Sequence, residues 1–109
     1  MTFERYDILL ATLEPSRGSE MAKTRPIIVI STDAMNAALE SVVVCPLTTQ
    51  LHPKWRCRIQ ISCAGKPAEI AVDQIRTISQ SRLGRRVDAL KPAAFEELRR
   101  LISEMYGDG

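Results

Sequence analysis

The sequence contains a single histidine, His52. That excludes a two-histidine metal site and any mechanism built on paired imidazoles. A Ser-His-Asp arrangement would have to use His52, and no Gly-x-Ser-x-Gly surrounds any serine. There is no Walker-type phosphate loop and no dinucleotide fingerprint, since "RLGRR" at residues 82–86 holds one glycine. The cysteines number three, Cys45, Cys57 and Cys63, with no Cys-x-x-Cys pair. An odd count argues against a disulfide framework, and the spacing argues against zinc. Small, buried or half-buried apolar roles are expected for all three. Long apolar runs are also missing. The longest lie around Val42 to Val44, far short of the ~20 residues that span a bilayer. Met1 to Asp7 is polar and lacks the apolar centre of a secretory signal. The expectation is a cytoplasmic protein with no membrane partner, no metal and no other cofactor.

What is present suits one domain spanning residues 1–109. Hydrophobic residues make up 45% and charged residues 26%, the balance of a globular chain with a modest core. The net charge of +2 permits an acidic or nucleic-acid partner without requiring one. Tyr6 to Leu13, "YDILLATL", predicts a central strand, apolar on both faces. Glu14 to Thr24 is a polar loop. Pro26 to Ser31 predicts a second strand, its proline at the first position where no ladder donor is needed. Ser31-Thr32-Asp33 offers capping oxygens for a short helix over residues 33–40. Val42 to Thr48 predicts a third strand, with Pro46 marking an edge or bulge. Lys54 to Ser62 alternates, with Cys57, Ile59 and Ile61 on one side and Arg56, Arg58, Gln60 and Ser62 on the other. Ala64 to Pro67 is a turn, Glu69 to Val72 a strand, and residues 73–75 one helical turn. Arg76 to Ser79 and Arg85 to Ala89 are short strands. Pro92 opens a terminal helix on which Phe95, Leu98, Leu101, Ile102 and Met105 form one stripe and Glu96 pairs with Arg100. The fold class expected is α+β, mainly β: a strongly bent antiparallel sheet or half-open barrel with a C-terminal helix.

Arg25 stands at a strand start and Thr48 at a strand end. If those strands are neighbours, a planar five-donor guanidinium and a stiff hydroxyl lie level on one wall, a combination suited to a phosphodiester. The alternative is a surface ion pair of Arg25 with Glu20 and a solvated Thr48. Lys54, Arg56 and Arg58, with Arg17 and Lys23 in the loop, either track phosphates or form an ordinary solvated face. Trp55 either stacks on a base or caps a core or interface. "RLGRR" reads as an RNA or partner contact or as a solvated turn.

"YDILLATLEPSRGSEMAKTRPIIVIS" resembles the opening of the MazF/PemK toxin endoribonucleases, through Pro15-Ser16, Gly18-Ser19-Glu20 and Arg25-Pro26. "VVVCPLTTQ", "AVDQIRTISQSRLGRRV" and "LKPAAFEELRRLI" are similar to later family segments, in order and with compatible gaps. The resemblance implies a homodimeric SH3-like barrel of the CcdB/MazF kind. It implies metal-independent cleavage of single-stranded RNA and a cognate antitoxin whose acidic or extended C-terminal tail fills the RNA groove. Arg25 and Thr48 would be the catalytic pair and Glu20 an accessory loop residue. Thr49 and Gln50, directly after Thr48, would join the RNA contacts. The family often begins Arg-Gly-Asp, and here Tyr6 takes the glycine position. A gyrase poison shares the fold but depends on a Trp-Gly-Ile ending, whereas this chain ends "MYGDG"; a non-catalytic interaction module is the third reading.

Overall fold

The computed structural model describes residues 2–13 and 24–107. Its order is β1 (Asp7–Thr12), β2 (Thr24–Val29), α1 (Asp33–Ala38), β3 (Ser41–Thr48), β4 (Arg58–Cys63), β5 (Lys66–Ala71), β6 (Arg76–Ser79), β7 (Leu83–Ala89) and α2 (Phe95–Tyr106). Short 3₁₀ turns cover Val72–Gln74, Gln80–Arg82 and Pro92–Ala94. The strands form one antiparallel sheet in the order β4-β5-β3-β2-β1-β7, with β6 also on β3. Ala64 N–H, at the β4–β5 turn, donates to Asp88 Oδ2 of β7 at 2.7 Å. The two ends of the strand order therefore approach each other, and the sheet curls into a half-barrel.

The continuous apolar runs of β1 and β2 are buried on both sides, as their lack of alternation requires. Ile8 and Ile28 face a core that also holds Leu47, Ile70 and Leu98, with α2 packed on it. Leu9 and Ile27 face a second core with Val44, Val42 and Leu83. Strand β3 serves both halves of the curl: Ser41 to Val44 pair with β6, and Leu47 and Thr48 with β5. Pro46 falls in the changeover, opposite Ile27. It is tolerated in a central strand because one edge has released β6 before meeting β5. An edge or a bulge was expected there.

Three other expectations change. The strand expected over Lys54 to Ser62 begins only at Arg58; residues 52–58 form turns closed by Trp55 N–H on His52 O (2.9 Å) and Arg58 N–H on Trp55 O (3.4 Å). Lys54 and Arg56 are thus turn residues and share no strand face with Arg58. Of "RLGRR", Arg82 closes the 3₁₀ turn Gln80–Arg82 and Leu83 to Arg86 open β7, with Arg86 bonded to Asp7 at 3.0 Å. On α2, Glu96 pairs with Arg99 instead of Arg100, since positions three and four apart are both helical neighbours.

Tyr6 occupies the left-handed region at φ 70°, a conformation that costs an L-residue about 1–2 kcal/mol. Both of its backbone groups are nonetheless paired: its N–H donates to Val29 O and its carbonyl accepts from Leu90 N–H. The ring packs on Phe95 at 4.6 Å. The turn that a glycine would make freely is held here by side-chain burial.

Candidate functional site

Arg25 is the second residue of β2, and its backbone is fixed by pairing with Ala11 of β1. The expected strand began at Pro26; the observed one starts two residues earlier and takes in the arginine. Ile27 lies opposite Pro46. The same register continued two residues brings Arg25 level with Thr48. Residues two apart along a strand share a face, so both side chains fall on one side of the sheet. Arg25, Thr48, Thr49 and Gln50 line a groove of about 510 Å³, together with Lys66 and Cys63 from the β4–β5 hairpin. Arg25 is exposed, and among the described residues no carboxylate lies in ion-pair range of it. The Thr48 hydroxyl oxygen accepts from Gln50 N–H at 3.0 Å. Its rotor is thereby oriented and its own proton remains available to donate.

The row continues across the sheet. Thr48 pairs with Glu69, and Glu69 with Gln60. Glu69 is fully buried. Its Oε1 accepts from His52 N–H and from Gln60 Nε2, both at 2.7 Å, and its Oε2 from the Arg58 guanidinium at 2.7 Å. Arg58 also reaches Asp73 at 2.8 Å. Burial pushes the Glu69 carboxyl up, but these three donors outweigh it and hold it below the usual carboxylate range. Asp73 is likewise held low, Arg58 overcoming its burial. The Arg58 side chain is only 6% exposed. Its charge is spent on two carboxylates, so it is no free phosphate contact, which corrects its expected place on a solvated basic strand face. Trp55 is exposed, yet its ring stacks on His52 at 3.8 Å and receives the Arg58 guanidinium at 4.7 Å.

Arg17, Glu20 and Lys23 lie outside the described residues. Lys54 and Arg56 are exposed beside Trp55; neither lines the groove described above. Two features were missed in the sequence. Lys66 sits in the groove because Ala64 and Gly65 (φ 51° and 82°) turn the β4–β5 hairpin back tightly. Glu69 stood as the one acid in an otherwise apolar strand, the available signal of a buried partnered charge. The cysteines are free, Cys45 buried and Cys57 and Cys63 half-buried. Burial, with a smaller contribution from Asp73, pushes the Cys45 thiol up to about 12. Among the described residues no three His, Cys, Asp or Glu side chains gather to hold a metal ion. No helix among them is long and apolar enough to cross a membrane.

A family model described as "PemK-like, MazF-like toxin of type II toxin-antitoxin system" matches residues 4–106. A relative from Staphylococcus saprophyticus, "Endoribonuclease MazF", is 29% identical over 108 residues, covering 94% of this chain and 90% of that protein. Among solved structures, MazE-MazF from Deinococcus radiodurans superposes with a TM-score of 0.81 at 17% identity, covering 97% of each chain. An "Endoribonuclease in complex with its cognate antitoxin from Mycobacterial species" gives 0.80 at 19% identity, over 99% of this chain and 98% of that one.

Proposed function

The chain belongs to the PemK-like, MazF-like toxins of type II toxin-antitoxin systems, and from that premise we propose that it is an endoribonuclease cutting single-stranded RNA with Arg25 and Thr48. The observation that carries this reading is the meeting of those two side chains in one groove. RNA supplies its own nucleophile, the 2′-hydroxyl. The enzyme needs to align that oxygen with the leaving 5′-oxygen, stabilise the phosphorane and move two protons, and it can do so without a metal. Alignment alone supplies several kcal/mol.

Arg25 acts on the non-bridging oxygens as a fixed positive charge with a bidentate fork. It is a poor base, because a guanidinium keeps its proton throughout the working pH range. Thr48 donates to a phosphoryl oxygen or holds the 2′-hydroxyl. The base is Glu20, His52 or water. Lys66, Thr49 and Gln50 line the remaining groove and track the strand. The products are a 2′,3′-cyclic phosphate and a 5′-hydroxyl. The enzyme works as a homodimer and is silenced by a cognate antitoxin whose extended tail fills the same groove.

The test is incubation of the protein with a long single-stranded RNA in excess chelator, with the ends mapped. The reading expects cyclic phosphate and 5′-hydroxyl ends at a short preferred sequence. A strict requirement for added metal would overturn the mechanism. Inhibition of gyrase without RNA cuts would overturn the function.

A further inference from the structure

The carboxylate next to Thr48 faces away from solvent. Glu69 is paired with Thr48 across the strands, yet it is fully buried and its three hydrogen bonds are all directed at other protein groups. One of those donors is the backbone N–H of His52, in the segment that leaves Thr48 and supplies Thr49 and Gln50 to the groove. The segment is therefore tied at its middle to the strand beside the candidate catalytic hydroxyl. Its far part is tied again, since Trp55 stacks on the same Arg58 that bonds Glu69. We propose that Glu69 is a positioning residue: it anchors residues 49–57 and so sets the groove wall that decides where and how tightly RNA is gripped.

The inference rests on the nuclease reading for its consequence but not for its mechanics. Glu69→Gln keeps the shape and removes the charge. In either orientation the His52 N–H loses its ionised acceptor: it faces the new NH₂, or it keeps a neutral carbonyl oxygen in place of a carboxylate while Arg58 faces the NH₂. Loss of one such charge-assisted bond corresponds to roughly tenfold or more in a local opening equilibrium.

Amide exchange and the fluorescence of the chain's one tryptophan read the tether without any activity. The expected result for Glu69→Gln is exchange at the His52 amide about tenfold faster, with a shifted Trp55 emission. In the cleavage assay the loss should fall mainly on KM, with relaxed choice of cut site. Gln60→Met, a substitution at an exposed position and so expected to leave the fold intact, should move the same readouts in the same direction but less; it decides the matter if Glu69→Gln does not fold. Wild-type exchange at His52 in the folded variants overturns the anchor. Faster exchange with unchanged KM and cut sites overturns its role in RNA choice and leaves Glu69 purely structural. A wild-type protein that cuts no RNA overturns the nuclease reading instead, while the exchange result still stands.

Discussion

Arg25 and Arg58 lie on the same face of one sheet, three steps apart in strand order, and both are arginines near a strand start. Arg25 is exposed over a groove; Arg58 is buried between Glu69 and Asp73 and stacked on Trp55. Among the described residues the first charge has no carboxylate partner, whereas the second has two. A basic residue count along a strand does not distinguish the two. What distinguishes them is whether an acid lies within reach on the neighbouring strand, and here Glu69, opposite Gln60 and so diagonal to Arg58, does so.

The sharpest way to break that comparison is to delete each charge in turn. Arg58→Ala should destabilise the fold by about 3–5 kcal/mol, because it leaves Glu69 buried without its cation. A urea titration should show the loss, while cleavage at saturating RNA by the folded fraction should fall far less than in Arg25→Ala, the remaining effect of the loosened segment lying on KM. Arg25→Ala should leave the urea midpoint nearly unchanged while cleavage drops by about 10²–10³-fold, the cost of one missing donor to developing charge. Arg25→Lys should recover only part of it, since an ammonium cannot reproduce the planar fork. Single-turnover rates at saturating RNA would show both.

Acid sharpens the same contrast. Burial raises both acids, but Gln60, the His52 N–H and Arg58 together hold Glu69 below its ordinary range, and Arg58 chiefly holds Asp73 low. Their contribution to stability is fully present above the unfolded carboxylate values, near about 4. It is lost as pH falls through the lower folded values. The urea midpoint should therefore fall from about pH 4 downward, and more shallowly in Arg58→Met, where Asp73 loses its cation and Glu69 keeps only Gln60 and the His52 N–H. The smallest effect lies outside the row: Tyr6 Oη is buried with no partner among the described residues. Tyr6→Phe should be stabilising by up to about 1 kcal/mol in thermal melts, because an unsatisfied buried hydroxyl is removed.

The two apolar strands, the terminal helix and the turn at residues 64–67 were legible because period and turn chemistry are local. The level placement of Arg25 and Thr48 followed from assuming that their strands are neighbours. The basic face of residues 54–58 was misread for a non-local reason. Alternation of Arg56, Cys57 and Arg58 imitates a strand, and only the approach of β5 with Glu69 turns Arg58 inward. Lys66 was invisible for the same reason: a hairpin brings it to the groove from a distant part of the chain. At Tyr6, local rules ask for glycine, and tertiary packing on Phe95 overrides them.

The most direct test of the account is single-turnover cleavage of a long single-stranded RNA in excess chelator, run on wild type and Arg25→Ala with the urea midpoint measured on the same samples. The account predicts 2′,3′-cyclic ends from wild type and a loss of about 10²–10³-fold in the variant at unchanged stability. Cutting by Arg25→Ala at the wild-type rate would contradict it.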